Sequence, residues 1–212
     1  MMVIYLASGN PNKVREFREL AESAEQAGGR PQIEIRSASE VGGMPHVVED
    51  TGSFTGNARK KAYALHERLP AGSWALADDS GLCVDALGGA PGVESAYYAG
   101  PRASGAENLA KLVAAMRDVP DGRRGAYYIC VLFLFGLDGT EHVFEGRCSG
   151  HLVHDPAGSG GFGYDPLFIP DGYENTFAEL EADLKNRLSH RGRAWAKLME
   201  WADKPGKVRA ES

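Results

Sequence analysis

The run from Ala126 to Phe135, AYYICVLFLF, constrains the fold more than any other part of the chain. It is hydrophobic throughout, so it offers no wet face, and a strand of this kind must be covered on both sides. Its most apolar part, Ile129 to Phe135, falls far short of the ~20 residues needed for a membrane-spanning helix. A central strand sandwiched between helices satisfies both conditions. The neighbouring segments supply the partners. Val3 to Ala7 is a short apolar run that stops at Ser8-Gly9-Asn10 and reads as a buried strand meeting a loop. Gln32 to Arg36 and Trp74 to Ala77 read as further strands, the latter running into an Asp78-Asp79-Ser80-Gly81 turn. Leu137-Asp138-Gly139 turns the chain into an antiparallel return over Glu141 to Cys148.

Between these strands the period changes. Asn10 is a good N-cap and Pro11 fits the first helical position. Val14, Phe17, Ala21 and Ala24 then recur at helical spacing until Gly28-Gly29. Ala58, Ala62, Leu65 and Leu69 form one apolar stripe of a second helix that ends at Pro70. Leu109, Leu112, Val113 and Met116 mark a third, and Trp195, Leu198 and Ala202 a last one. Leu87 to Gly105, rich in Gly, Pro and Ala, reads as a structured loop, with Tyr97 and Tyr98 as exposed aromatics available to an interface. The alternation predicts an α/β fold with a mixed sheet. With no repeat and no separating linker, residues 1–202 read as a single domain and 203–212 as a polar tail.

Composition excludes several functions. Twenty-three basic against 29 acidic residues leave a net charge of −6. That balance argues against polymeric nucleic acid and anionic membranes, though not against a small phosphorylated ligand. Cys83, Cys130 and Cys148 are odd in number and widely spaced, so they read as buried reduced thiols rather than a disulfide or zinc framework. The N-terminus lacks the pattern of a signal peptide, which makes the expected setting cytoplasmic.

Four segments carry polar chemistry. Ser8-Gly9-Asn10-Pro11-Asn12-Lys13 places a helix N-terminus, side-chain donors and a mobile cation where a phosphate could sit. It is not a Walker loop. Asp78 and Asp79 stand together at a strand end, where Glu49 or Asp50 could join one of them around Mg²⁺. Gly158 to Gly163 matches the dinucleotide fingerprint in form only, because Pro166 follows where a helix should start. Its glycines suit backbone approach to a flat ligand, with Phe162 or Tyr164 stacking on it. Lys185 to Arg193 gathers four cations and His190 in an acidic protein, a donor set suited to an anion. His151, His154 and Asp155 do not amount to a metal site, and neither a G-x-S-x-G elbow nor a nucleophilic cysteine motif occurs.

Taken in order, the S/T-G-N-x-x-K opening, A-D-D-S-G-L-x-V-D-A-L-G-G-A-P-G, G-G-F-G-Y-D-P and S-H-R-G-x-A resemble the inosine triphosphate pyrophosphatase family of non-canonical purine NTP pyrophosphatases. The resemblance spans Leu6 to Ala194. It implies an elongated mixed sheet flanked by helices, in two lobes with the active site in the cleft between them. It implies Mg²⁺-dependent hydrolysis of ITP, dITP and XTP to the monophosphate and pyrophosphate, in a homodimer. Carried over by position, Ser8, Gly9, Asn10, Pro11, Asn12 and Lys13 hold the triphosphate. Asp79 is the catalytic carboxylate and shares the metal with Glu49, while Ser80 touches substrate. Phe162, Gly163, Tyr164 and Asp165 receive the nucleoside; Lys185, His190 and Arg191 bind phosphates and base. Three positions depart from the family pattern. Gly56 and Leu184 stand where Glu is frequent, leaving fewer carboxylates near the metal position, and Tyr97 replaces a frequent Arg. A broader NTP pyrophosphatase and a nucleotide-binding module without turnover are the competing readings.

Overall fold

The parallel core of the sheet forms first along the chain. The computed structural model describes residues 2–26, 32–136 and 138–204. Strand β1 (Met2–Leu6) pairs in parallel with β2 (Ile33–Ser37) on one side and with the start of β3 (Trp74–Val84) on the other. Strands β4 (Gly125–Phe135), β5 (Glu141–Leu152) and β6 (Phe168–Pro170) complete a six-stranded sheet ordered β2-β1-β3-β4-β5-β6. β5 and β6 are antiparallel, so the sheet is mixed. The helices are α1 (Pro11–Gln26), α2 (Phe54–His66), α3 (Gly105–Ala115), α4 (Ala182–Leu188) and α5 (His190–Ala202). No helix of the described residues is long and apolar enough to cross a membrane.

The chain packs into two compact units. The first takes Met1–Asp79, Val131–Glu145 and Gly192–Ser212; the second takes Ser80–Cys130 and Gly146–Arg191. In the first unit, the α2 stripe of Ala58, Ala62 and Leu65 is fully buried against Tyr5, Ala75, Ala77, Val131 and Phe133. Small residues on the strands let the helix approach, while Leu65 and Phe133 each supply roughly 2 kcal/mol of apolar burial. Leu69 packs on this cluster from beyond the helix end. Phe17 of α1 meets Trp195 of α5 at 5.9 Å between ring centroids.

In the second unit Leu82, Val84, Leu112, Met116, Tyr128, Leu152, Phe168 and Phe177 form the core. Arg124 is buried beside it and donates to four carbonyls, those of Met116, Val119, Leu152 and Val153, at 2.6–3.1 Å. Met116 is the C-cap of α3, where the negative end of the helix favours a cation. α3 itself starts in a capping box, with Ser104 and Glu107 each accepting from the other's backbone N–H.

Several sequence expectations change. β4 alternates between buried and half-buried positions over its first residues and is buried on both faces only from Cys130 to Leu134. β5 runs on to Leu152, four residues past the expected Cys148. The Gly/Pro loop contains a 3-10 turn over Gly92–Tyr97, and Tyr97 and Tyr98 are half-buried rather than exposed. The Lys111 ammonium lies 4.2 Å from the Tyr98 ring centroid and donates to its carbonyl. Cys83, Cys130 and Cys148 are buried thiols. Gly28-Gly29, Leu137 of the expected turn and the tail from Pro205 lie outside the described residues.

Candidate functional site

β3 does not turn at Asp78-Asp79-Ser80-Gly81 as its polar sequence suggests. It continues through all four residues to Val84. Gly81 makes this possible, because a Cβ there would stand 2.2 Å from the Gly92 carbonyl oxygen and 2.6 Å from Ser95 Oγ. The Ser95 hydroxyl bridges the close approach, accepting from the Leu82 N–H at 3.0 Å and donating to the Gly92 carbonyl at 2.6 Å. β1 pairs with β3 only as far as Leu6–Leu76, so both carboxylates lie just past the end of β1. Successive strand residues point to opposite faces, and each aspartate accordingly meets a different helix.

Asp78 is buried and paired with Lys13 of α1. The loop before that helix is folded on itself. The Asn10 N–H donates to Ser8 Oγ at 3.1 Å, and the Asn12 N–H to Asn10 Oδ1 at 2.9 Å. With their oxygens used as acceptors, the Ser8 hydroxyl hydrogen and the Asn10 amide N–H groups are the side-chain donors this loop offers an anion. Gly9 and Pro11 are exposed, and Asn12 is half-buried.

Asp79 is held from the other side. Lys61 of α2 donates to Asp79 Oδ1 at 2.7 Å and to Glu49 Oε2 at 3.0 Å. Burial disfavours the Lys61 charge, but the charges of Asp79 and Glu49 together outweigh it and raise its pKa. Burial pushes the Asp79 carboxyl up to about 6, against the pull of Lys61 and Lys13. Its second oxygen, Oδ2, is buried without a hydrogen-bond partner. Such an atom is costly unless something occupies it. Glu49 shares Lys61 with Asp79, whereas Asp50 is exposed and turned to Lys60 at 2.5 Å.

Sequence reading missed Lys61, although a signal was present. It falls on the buried stripe, three residues after Ala58 and four before Leu65, where a lysine needs a carboxylate partner. Gly56 also has a physical reason. A Cβ there would meet Thr51 Oγ1 at 2.4 Å, Thr51 Cβ at 2.7 Å and Ser53 Oγ at 2.8 Å. The Thr51 hydroxyl donates to buried Asn57 Oδ1 at 2.8 Å and the Ser53 hydroxyl accepts from the Gly56 N–H, so the space is taken by the cap that anchors the Glu49 loop.

The second unit assembles the remaining residues. Asp165 is buried at the end of the glycine loop and its Oδ2 accepts from Lys185 Nζ and the Phe162 N–H, both at 2.8 Å. Gly161, at φ +67°, leaves room for that oxygen, since a Cβ would lie 2.2 Å from it. Tyr128 donates to the other oxygen at 3.2 Å. Tyr164 is a core residue whose hydroxyl donates to the Ser95 carbonyl at 2.8 Å, so Phe162, half-buried, is the more accessible of the two aromatics. Lys185 Nζ and Arg191 Cζ lie 5.3 and 5.2 Å from the centre of the Phe162 ring. Gly163, at φ +65°, has open space where a Cβ would be. Arg191 donates to Ser80 Oγ at 2.7 Å. The basic run divides by burial: Lys185, His190 and Arg191 are buried, while Arg187 and Arg193 are exposed. It lies on α4 and the first turn of α5 rather than ahead of the last helix.

No group of three or more His, Cys, Asp or Glu among the described residues is arranged to hold a metal ion. Glu49 and the unpaired Asp79 oxygen nonetheless suit a hard divalent ion that completes its shell with water and phosphate oxygens. His154, weighed as a metal ligand, pairs instead with Asp121 at 2.6 Å.

Comparison with known proteins identifies the family and the fold. The Ham1 family model matches residues 4–201. A protein of Opitutus terrae described as a dITP/XTP pyrophosphatase is 62% identical over 94% of this chain and 98% of its own length. The structure of a HAM1 protein from Coxiella burnetii superposes with a TM-score of 0.80 at 35% identity, covering 95% of this chain and 98% of that one. A nucleoside-triphosphatase / dITP/XTP pyrophosphatase of Mycobacterium abscessus gives 0.70 at 42% identity, covering 94% and 99%. On sequence and on fold, the chain belongs to the Ham1 family.

Proposed function

We propose that this protein hydrolyses non-canonical purine nucleoside triphosphates (ITP, dITP and XTP) at the α-phosphorus, releasing the monophosphate and pyrophosphate. The observation that carries the reading is the buried Asp79 carboxylate, fixed at one oxygen by Lys61 and without a hydrogen-bond partner among the described residues at the other. A pure polyanion binder gains nothing from such a group, whereas a hydrolase needs it. Relatives described as dITP/XTP pyrophosphatases support the choice of substrate.

In this reading Ser8, Gly9, Asn10, Pro11, Asn12 and Lys13 take the phosphates. Glu49 and Asp79 hold Mg²⁺, which when bound neutralises phosphate charge and acidifies water. Asp79 is also the group that accepts the proton of the attacking water, and Lys61 fixes its orientation through Oδ1. An ordinary aspartate is a weak base at neutral pH. Mg²⁺ bound beside it would offset that weakness by making the water itself more acidic. Ser80 and Arg191 contact substrate as a hydrogen-bonded pair. Phe162 offers its ring to the base, with Gly163, Tyr164 and Asp165 shaping the loop that carries it. Lys185 and His190 complete the donor set. Donors fixed towards a purine 6-oxo group would be left mispaired by the amino group of adenine, which disfavours ATP. The reading includes a homodimer in the cytoplasm.

The test is a substrate panel of ITP, XTP, dITP, GTP, ATP and CTP with Mg²⁺, scoring pyrophosphate against orthophosphate. Pyrophosphate from the first three supports the reading. Orthophosphate alone would exclude attack at the α-phosphorus, and tight ITP binding without product would make the protein a binding module.

A further inference from the structure

Tyr128 lies among apolar residues of β4 and is buried in the second core. A phenylalanine would fill the same space, so the hydroxyl requires its own explanation. We propose that Tyr128 is a positioning residue for base recognition, holding Asp165 through its hydroxyl and His190 through its ring. The inference rests on the assignment of Asp165 and His190 to the nucleoside end of the proposed site.

Two contacts carry it. The Tyr128 hydroxyl lies 3.2 Å from Asp165 Oδ1, while Asp165 Oδ2 accepts from Lys185 and the Phe162 N–H. A carboxylate with those two donors is an acceptor, so the phenol is the donor. Burial and the Asp165 charge push the Tyr128 phenol well above its usual range, which keeps the proton in place. The same ring lies parallel to the His190 imidazole, 4.7 Å between centroids with an 8° interplanar angle. Phe177 stacks with it at 5.9 Å and 20°, and Phe168 meets it edge-on at 4.9 Å. The aromatic neighbours fix the ring, and the ring fixes the two polar groups.

The hydroxyl therefore sets which way the Asp165 carboxylate is turned. Lys185 and the Phe162 loop both hang on that carboxylate. Without the phenol, Oδ1 loses the hydrogen bond from Tyr128 and the carboxylate gains freedom about its terminal torsion. The consequence falls on how sharply the loop and His190 discriminate a 6-oxo from a 6-amino purine, since selectivity depends on donors that cannot move.

The experiment compares the full-length protein with Tyr128→Phe and Tyr128→Leu, using ITP and ATP as substrates and pyrophosphate as a competing ligand. For Tyr128→Phe the expected kcat/KM for ITP falls about tenfold, as for loss of a hydrogen bond to a charged group. The loss falls on KM rather than kcat, the ITP-over-ATP preference shrinks with it, and inhibition by pyrophosphate is unchanged. NMR of labelled histidines supplies an independent readout. The His190 ring signals should carry a ring-current shift in wild type and Tyr128→Phe, and lose it in Tyr128→Leu. A folded Tyr128→Phe protein with wild-type KM and selectivity overturns the proposal while leaving the proposed activity standing. A wild-type protein with no preference for ITP overturns both.

Discussion

Lys61 Nζ lies 2.7 Å from Asp79 Oδ1 and 3.0 Å from Glu49 Oε2, so one ammonium from α2 ties together two carboxylates far apart in sequence. Removing it strands two buried or half-buried negative charges. Lys61→Met is expected to cost about 3 kcal/mol, the usual result of breaking a buried pair from one side. Turnover of ITP should fall by at least about a hundredfold through loss of the fixed carboxylate. Asp79→Asn should abolish turnover and leave the circular dichroism spectrum unchanged. Denaturant titration and pyrophosphate release check the two effects separately; an active Asp79→Asn protein would remove Asp79 from the chemistry.

Arg124 serves stability alone. It donates to four carbonyls from a buried position, one of them at the C-cap of α3. Arg124→Met removes a charged donor from all four carbonyls, of which Met116 keeps the Val119 N–H, and is expected to destabilise the protein by about 3 kcal/mol. Arg124→Lys should recover less than half of the loss, because an ammonium cannot reproduce the fork of a guanidinium. Urea midpoints of the three proteins test this.

Thr51 and Gly56 compete for one space. Gly→Ala within a helix ordinarily stabilises by up to ~1 kcal/mol. Gly56→Ala should instead destabilise, because its Cβ would stand 2.4 Å from Thr51 Oγ1. In a Thr51→Ala background the same change should cost less. A double-mutant cycle measures the coupling, and strict additivity would show that the cap yields without resistance.

The α3 capping box gives a pH signature. Backbone and hydroxyl donors of Ser104 hold the Glu107 carboxyl below its ordinary 4.5. A depressed folded pKa means that the stabilisation is present above the unfolded value and lost as pH falls through the folded one. Glu107→Gln should therefore lower Tm at pH 7, with the difference closing below the ordinary carboxylate pKa. A Tm difference that stayed constant across that range would rule out the ionised carboxylate as the cap.

How far the sequence reached depends on whether a local rule had a local cause. The start of α1 at Pro11 and the buried stripe of α2 follow from capping and period, and both are present. The path of β3 was not legible, because Asp-Asp-Ser-Gly reads as a turn, while β4 beside it in the sheet and the close fit of Gly92 and Ser95 all arrive from later in the chain. Tyr128 looked like one more apolar strand residue, since nothing beside it in sequence reveals Asp165 or His190. Tyr164 looked like a platform for a ligand, yet its hydroxyl finds a core carbonyl. Among the four motifs, the sequence identified which residues are polar for a reason, and the fold decided which of them are scaffold.

Lys13, Lys61 and Lys185 each face an aspartate within the protein, so their charges are cancelled locally. The surplus of acidic over basic residues therefore lies mainly towards solvent, and a nucleoside triphosphate approaches against a repulsive field. Its association should quicken as salt screens that field, the reverse of the behaviour of a protein that draws anions in through a basic surface. Capture would then depend on short-range fit and not on long-range attraction, which leaves the abundant polyanions of a cell at a distance.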